Sequence, residues 1–159
     1  MPGSRKAAFL DRDGVINIDT GYVGRWEDFR FAPGAIGLLQ RLAGEGYLLI
    51  VITNQSGIAR GLYSEGDYHR LTQRYRDELA LHGVHLAAVY HCPHHPDGVV
   101  EEFAKVCDCR KPAPGMILRA IRELDVDPAA SILIGDSDRD LEAGRAAGVG
   151  QLLRVETAR

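Results

Sequence analysis

Short apolar runs of strand length alternate with segments of helical periodicity along nearly the whole chain. A run that is apolar at every position is typical of a strand covered on both faces. The alternation predicts an α/β fold, a doubly wound parallel sheet with helices on both faces. The predicted strands are 7–10, 47–52, 85–90, 131–134 and 151–155, and the predicted helices begin near 33, 64 and 141 and after Pro114.

Length and charge limit the kinds of partner. A chain of 159 residues suits one domain with one core, so we expect a single domain over 1–159. A net charge of -3, with no cluster of basic residues, indicates no nucleic-acid partner. No apolar stretch approaches the roughly 18 residues of a membrane span, and the segment 1–6 carries no secretory signal. We therefore expect a cytoplasmic monomer without a membrane partner.

Acidic residues directly follow two of the predicted strands. Asp11 and Asp13 come after the first strand, and Asp136 comes after the fourth. In doubly wound sheets such positions meet at the carboxyl edge, where ligands bind. An ionised aspartate beside a second one suits a nucleophile with a general acid/base, and Asp11 with Asp136 suits an oxygen-ligand Mg²⁺ site. An ordinary acidic turn is the alternative for Asp11 and Asp13, and a helix N-terminal position is the alternative for Asp138 or Asp140.

Two further segments offer groups that bind phosphate. Thr53 and Asn54 follow the second apolar run and lead to Gly57, so a hydroxyl and backbone N–H groups can surround phosphate oxygens. Lys111 adds a cation, whereas Arg110 beside it is also compatible with a solvated surface charge. The pattern therefore predicts phosphate binding at the same edge of the sheet.

The three cysteines lie close together and near two histidines. Cys107, Cys109 and Cys92, with either His94 or His95, offer three thiolates and one imidazole, the ligand set of a closed tetrahedral Zn²⁺ site. The spacing alone does not choose between the two histidines. The loop, about 91–110, is long for a compact domain, which indicates a metal staple. Free buried cysteines with solvated histidines are the alternative.

In combination these motifs resemble the haloacid dehalogenase (HAD) superfamily of phosphohydrolases. The superfamily order is kept along nearly the whole chain by D-R-D-G at 11–14, T-N at 53–54, K-P at 111–112 and G-D-S-D-R-D at 135–140. The chain is most similar to the D-glycero-D-manno-heptose 1,7-bisphosphate phosphatase family. That similarity is carried by G-Y-V (21–23), T-N-Q-S-G-I-A-R-G (53–61), C-P-H-H-P (92–96) and C-D-C-R-K-P (107–112).

The resemblance implies a Rossmann-like HAD fold and a role for each matching residue. Asp11 would attack phosphorus to form an aspartyl-phosphate, and Asp13 would protonate the leaving sugar oxygen and then activate water. Thr53 and Lys111 would bind the transferring phosphoryl group. Catalytic Mg²⁺ would be held by Asp11, Asp136 and the backbone carbonyl of Asp13. Substrate contacts are implied for Asp19, Gly21, Tyr22, Asn54, Gln55, Ser56 and Arg110, and structural Zn²⁺ ligation for Cys92, His94, Cys107 and Cys109.

The implied reaction is removal of the C7 phosphate of heptose 1,7-bisphosphate to give heptose 1-phosphate, in nucleotide-activated heptose and lipopolysaccharide biosynthesis. Arg110 is our candidate for contact with the phosphate that does not react. No large insertion follows the first motif or Thr53, so we expect a minimal cap and an open site. Ser137 departs from the family pattern, because some relatives carry a basic residue there.

Two other functions are considered. Histidinol-phosphate phosphatase shares the nucleophile, the magnesium and a zinc loop, but the long interval between His94 and Cys107 and the G-Y-V motif favour the heptose enzyme. A non-catalytic, zinc-stapled binding module is the other alternative. The joint presence of all the predicted catalytic and phosphate-binding residues argues against such a module.

Overall fold

A five-stranded parallel sheet lies at the centre of the protein, in a computed structural model that describes residues 4–159. Its strands are β1 (Ala7–Leu10), β2 (Leu48–Asn54), β3 (Ala88–Cys92), β4 (Ile132–Gly135) and β5 (Gln151–Arg154). Their order in the sheet is β3-β2-β1-β4-β5. All five predicted strands are present, although β3 begins and ends later than its predicted range. The parallel α/β class is confirmed.

Four helices connect the strands, namely α1 (Ala35–Gly44), α2 (Glu65–Leu81), α3 (Gly115–Leu124) and α4 (Asp138–Ala146). The start of α2 is fixed as its sequence predicts. Ser64 Oγ accepts from the Asp67 backbone N–H at 3.0 Å, and Asp67 Oδ2 accepts from the Ser64 N–H at 3.0 Å. This reciprocal pair satisfies two N–H groups that a helix start would otherwise leave unpaired.

The two faces of the sheet carry separate apolar clusters, which makes the fold doubly wound. Along β1, Ala8 and Leu10 pack into one cluster, whereas Ala7 and Phe9 pack into the other. Side chains of a strand alternate between faces, so a strand covered on both sides is apolar throughout. The first cluster includes Leu39 of α1 and Leu71, Tyr75 and Leu79 of α2, and the second includes Met116, Ile117 and Ala120 of α3 and Ala143 of α4.

The strand order reverses beside β1, and this reversal positions the site. The chain passes from β1 to β2 and β3 on one side, and then crosses to β4 and β5 on the other. A crevice forms beyond the carboxyl ends of strands at such a point. The β1–α1 connection contains one short 3₁₀ turn, Trp26–Asp28, and the β2–α2 connection is short, so no cap domain is inserted within residues 4–159.

No helix within the described residues is both long and apolar enough to cross a membrane. Met1, Pro2 and Gly3, which begin the segment predicted to carry no secretory signal, lie outside the described residues.

Candidate active site

A cavity of about 640 Å³ opens beyond the carboxyl ends of β1, β2 and β4. All of the predicted substrate contacts line it, together with both predicted catalytic aspartates. The predicted residues in its wall are Asp11, Asp13, Asp19, Gly21, Tyr22, Asn54, Gln55, Ser56, Arg110, Lys111 and Asp136. The wall also contains residues for which no site role was predicted, among them Arg60, Tyr63, Arg139, Asp140 and Thr157.

Asp11 directly follows β1, and its carboxylate is held on one oxygen. Oδ1 accepts from Lys111 Nζ at 3.0 Å and from the Arg12 backbone N–H at 2.9 Å, which leaves Oδ2 for a ligand. Burial raises the pKa of Asp11 well above its usual value. The Lys111 ammonium opposes that rise, while neighbouring carboxylates, led by Asp140, add to it. Additional positive charge in the cavity would therefore favour the ionised form of Asp11.

Lys111 links Asp11 to α4. Its buried Nζ also donates to Asp140 Oδ1 at 2.6 Å and to the Ile52 carbonyl at 3.0 Å. Burial by itself would lower the pKa of Lys111, but the charges of Asp11 and Asp140 raise it above its usual value, so the ammonium stays charged. Burial likewise works to raise the pKa of Asp140, but Lys111 holds it below its usual value.

Asp140 ends the G-D-S-D-R-D motif at 135–140 but was not among the predicted site residues, and its contact with Lys111 adds it to the candidate site. The helix N-terminal alternative for this residue is correct in part, because Oδ2 accepts from the backbone N–H groups of Asp136 and Ser137 at 3.1 and 3.2 Å. The other oxygen binds Lys111. The sequence feature that could have identified Asp140 as a site residue is its position four residues after Asp136.

Asp11 and Asp136 form an oxygen-rich place for a cation. Carboxylate oxygens of Asp11, Asp136 and Asp140 all lie within 4.8 Å of one another. Both oxygens of Asp140 already accept hydrogen bonds, so Asp11 and Asp136 are the carboxylates available to an ion. Thr157 Oγ1 fixes Asp136 by donating to its Oδ2 at 2.9 Å. Hard carboxylate oxygens next to a phosphate site suit Mg²⁺.

Gly14 allows Asp136 to approach the turn after β1. The residue has φ +90°, and a Cβ at this position would lie 2.2 Å from Asp136 Oδ2. Both the backbone conformation and the close approach therefore require glycine.

Both carboxylate oxygens of Asp13 accept hydrogen bonds, which fix the orientation of the side chain. Oδ1 accepts from Arg12 Nη2 at 2.8 Å and from Asn17 Nδ2 at 3.0 Å, and Oδ2 accepts from Gln55 Nε2 at 3.1 Å. Gln55 is itself held, because its Oε1 accepts from the Tyr63 hydroxyl. The carboxylate cluster formed by Asp11, Asp136 and Asp140 does not include the side chain of Asp13.

The two polar residues at the end of β2 have different surroundings. Thr53 is fully buried and is not among the residues that line the cavity; its Oγ1 accepts from Gln55 Nε2 at 2.9 Å. Asn54 pairs with the backbone of Lys111, accepting from its N–H at 3.0 Å and donating to its carbonyl at 3.2 Å. Asn54 therefore places the lysine as well as lining the cavity.

Two arginines bring unsatisfied donors to the cavity wall. Arg110 and Arg60 both line it, and the Nε of each is buried without a hydrogen-bond partner among residues 4–159. The guanidinium of Arg60 also lies over the Tyr22 ring, 5.9 Å from its centroid. As two cationic residues of the cavity wall, Arg110 and Arg60 suit an anionic ligand.

The structure brings the four predicted zinc ligands together. Cys92 Sγ lies 3.4 Å from Cys107 Sγ and 3.6 Å from His94 Nδ1. Cys109 Sγ lies 3.4 Å from Cys107 Sγ and 3.3 Å from His94 Nδ1. Ligand atoms around a tetrahedral Zn²⁺ are about 3.6–3.8 Å apart, given Zn–S bonds of about 2.3 Å. His95 is outside the cluster, with its Nδ1 accepting from the Asp97 N–H at 3.0 Å.

Comparison with known proteins assigns this site to a family. The HAD-hydrolase-like family profile matches residues 108–156. The D-glycero-beta-D-manno-heptose-1,7-bisphosphate 7-phosphatase of Pasteurella multocida is 48% identical over 155 residues, which cover 98% of this chain and 84% of the relative. This chain belongs to the heptose-1,7-bisphosphate 7-phosphatase family. The predicted HAD relationship and phosphoric monoester hydrolase class are thereby confirmed.

Both anomeric forms of the substrate occur among names within this 7-phosphatase family. A Photorhabdus laumondii relative named D-glycero-alpha-D-manno-heptose-1,7-bisphosphate 7-phosphatase is 48% identical over 152 residues, covering 96% of this chain and 83% of its own. A solved structure of D,D-heptose 1,7-bisphosphate phosphatase from B. bronchiseptica, complexed with magnesium and phosphate, superposes with a TM-score of 0.83. It is 37% identical, and the match covers 93% of this chain and 79% of that one.

Proposed function

We propose that this chain hydrolyses the C7 phosphate of D-glycero-D-manno-heptose 1,7-bisphosphate, giving heptose 1-phosphate and inorganic phosphate. The observation that carries the proposal is the contact of Lys111 Nζ with both Asp11 and Asp140, at the switch point of a fold shared with phosphatases of that name. The product would feed nucleotide-activated heptose and lipopolysaccharide biosynthesis.

The first chemical step uses Asp11 as the nucleophile. Its Oδ2 forms a bond to the phosphorus of the C7 phosphate, and the bond between that phosphorus and the sugar oxygen breaks. Protonated Asp13 gives its proton to the sugar oxygen. Lys111, on the other oxygen of Asp11, stabilises the negative charge of the transferring phosphoryl group. Thr53, at the end of β2, is proposed to help bind the transferring phosphoryl group together with the turn that follows it.

The second step releases phosphate. A water molecule gives a proton to Asp13 and forms a bond to phosphorus, and the bond between phosphorus and Asp11 breaks. The hydrogen bonds of Asp13 with Arg12 and Gln55 hold its carboxylate in one orientation for both transfers.

Mg²⁺ is the proposed catalytic cofactor. Asp11, Asp136 and the carbonyl of Asp13 would hold it, and when bound it would neutralise charge on the nucleophile and the phosphoryl oxygens. The donor set supports this assignment, because carboxylate oxygens from the ends of β1 and β4 converge. The magnesium and phosphate in the B. bronchiseptica relative support it independently.

Arg110 and Arg60 are the proposed contacts of the C1 phosphate. Arg110 was predicted for this role, and we add Arg60 because both arginines line the cavity. Two guanidinium groups can bind the oxygens of one phosphate through charge-assisted hydrogen bonds. We assign Asp19, Gly21, Tyr22, Asn54, Gln55 and Ser56 to contacts with the substrate or to their support.

Zn²⁺ is proposed as a structural ion held by Cys92, His94, Cys107 and Cys109. Four protein ligands would leave no position for substrate. Arg110 and Lys111 directly follow the last ligand, so the ion would fix the segment that carries both cations. We also propose a single domain over 1–159 that acts as a cytoplasmic monomer.

The test of the proposed function is phosphate release, in the presence of Mg²⁺, from heptose 1,7-bisphosphate and from histidinol phosphate under the same conditions. The proposal requires a strong preference for the bisphosphate, and an Asp11→Asn variant serves as the inactive control. A preference for histidinol phosphate would keep the mechanism but overturn the substrate. Turnover of neither compound would favour a non-catalytic binding module.

A further inference from the structure

Three side chains outside the active site bring metal-ligating atoms together. Glu65 and His69 lie four residues apart on α2, and His91 lies on the neighbouring strand β3. One ligand atom from each lies within 4.8 Å of the other two, and His91 Nε2 is already 3.0 Å from Glu65 Oε1. None of the three lines the catalytic cavity.

We propose that Glu65, His69 and His91 form a second metal site, which binds a divalent transition-metal ion such as Zn²⁺, Ni²⁺ or Co²⁺. Two imidazoles and one carboxylate favour ions of this borderline class, whereas Mg²⁺ prefers a shell of oxygen ligands. Three protein ligands leave at least one position for water.

The positions of these side chains suit a bound ion. Residues four apart on a helix share a face, so Glu65 and His69 point the same way. Tyr68 stacks on the His91 imidazole with ring centroids 4.1 Å apart, which fixes the orientation of that ring. Bonds of about 2.1 Å in a tetrahedral site place ligand atoms about 3.4 Å apart. The Glu65–His91 pair is already near this spacing, and the ligand atom of exposed His69 lies within 4.8 Å of both.

This cluster is separate from the cysteine cluster, although His91 directly precedes Cys92. Successive side chains of a strand point to opposite faces of the sheet. Cys92 packs in the cluster that includes α3, whereas His91 contacts Tyr68 and Glu65 of α2 on the other side. An ion at the histidine cluster would therefore tie α2 to β3 without touching the zinc loop. The charge of Glu65 would offset the unfavourable effect of the α2 N-terminus on a cation.

The test counts ions on the whole protein after its cysteine cluster has been loaded with Zn²⁺. Co²⁺ is added near neutral pH with Mg²⁺ present, and bound metal is measured by equilibrium dialysis with elemental analysis. We expect one further equivalent of Co²⁺, with visible d–d bands of a nitrogen- and oxygen-ligated ion and no thiolate-to-cobalt charge-transfer band. Co²⁺ should also raise the melting temperature, since it binds the folded state.

Two variants locate the ion. His69→Gln and Glu65→Gln should each weaken Co²⁺ binding at least tenfold and abolish the thermal shift, while phosphatase activity stays within twofold of wild type. His85→Gln, at another exposed histidine, is the matched control and should bind like wild type. The proposal is wrong if no further equivalent binds, if His69→Gln binds equally well, or if the bound Co²⁺ shows thiolate charge transfer.

Discussion

Lys111 Nζ lies 3.0 Å from Asp11 Oδ1 and 2.6 Å from Asp140 Oδ1, so one ammonium group links Asp11, the proposed nucleophile, to the first turn of α4. Asp140 does not take part in the phosphoryl transfer itself, because both of its oxygens already accept hydrogen bonds from Lys111 and from backbone N–H groups. It acts as a positioning residue for the lysine.

Replacing Asp140 tests this link. Asp140→Asn leaves Lys111 with one carboxylate, and breaking such a buried pair costs about 3–5 kcal/mol of stability. Misplacement of the ammonium should lower kcat about 100-fold. The matched control on the same helix is Asp138→Asn, whose partner Arg154 and own side chain are largely exposed, so its effect should stay below about 1 kcal/mol. Equal effects of the two substitutions on unfolding and kcat would refute the assignment.

Gly14→Ala should interfere with the magnesium site. The new Cβ would collide with Asp136 Oδ2, and we expect the Mg²⁺ concentration for half-maximal activity to rise about tenfold or more. Gly34→Ala is the control, because Gly34 also has a positive φ but has no atom within 4 Å of the added Cβ. It should lower stability without changing the Mg²⁺ dependence. An unchanged Mg²⁺ titration of Gly14→Ala would contradict the account.

Much of the fold can be predicted from local sequence. Most of the site residues can be located because they directly follow the predicted strands. The run 7–10 is predicted to the residue because it is buried on both faces, and Ser64 with Asp67 marks the start of α2. The edge strand β3 is displaced from its predicted range. Among residues 4–159 it pairs with β2 alone, from Ala88 to Cys92. The predicted range ends at Tyr90 because the apolar run is interrupted at His91.

Contacts between distant segments explain what the sequence did not reveal. Asp140 and Lys111 are 29 residues apart, and nothing local to either indicates their pairing. The Tyr63 hydroxyl is linked to Asp13, the proposed acid/base, through Gln55. Such roles depend on how the loops meet above the sheet.

Tyr63→Phe should affect the orientation of Asp13. Loss of the hydroxyl releases Gln55, which we expect to lower kcat about three- to tenfold with little change in KM. Tyr68→Phe is the control, since the buried Tyr68 hydroxyl has no hydrogen-bond partner among the described residues. Its kcat should equal that of wild type. A change in KM alone for Tyr63→Phe would indicate substrate binding instead.

Cys107→Ser tests the structural zinc. The variant should lose the ion, melt about 5 °C or more below wild type, and lose phosphatase activity because Arg110 and Lys111 are displaced. Chelator-treated wild type should behave similarly and recover with Zn²⁺ but not with Mg²⁺ alone. Full activity and stability of the zinc-free protein would show that the ion is not structural.

Arg110→Ala tests recognition of the C1 phosphate. Loss of a charge-assisted contact should lower kcat/KM for the bisphosphate about 10- to 100-fold, mainly through KM, while a simple monophosphate ester is spared. Arg60→Ala should behave in the same direction. Exposed Arg119→Ala is the control and should leave both substrates unaffected. Equal losses on both substrates would place Arg110 in the chemistry instead.

The most direct measurement of the central claim is a ³¹P NMR time course of heptose 1,7-bisphosphate with this protein and Mg²⁺. We predict loss of the C7 resonance and appearance of one equivalent of inorganic phosphate, with the C1 resonance retained as heptose 1-phosphate. Release of the C1 phosphate, release of both, or an unchanged spectrum would contradict the account.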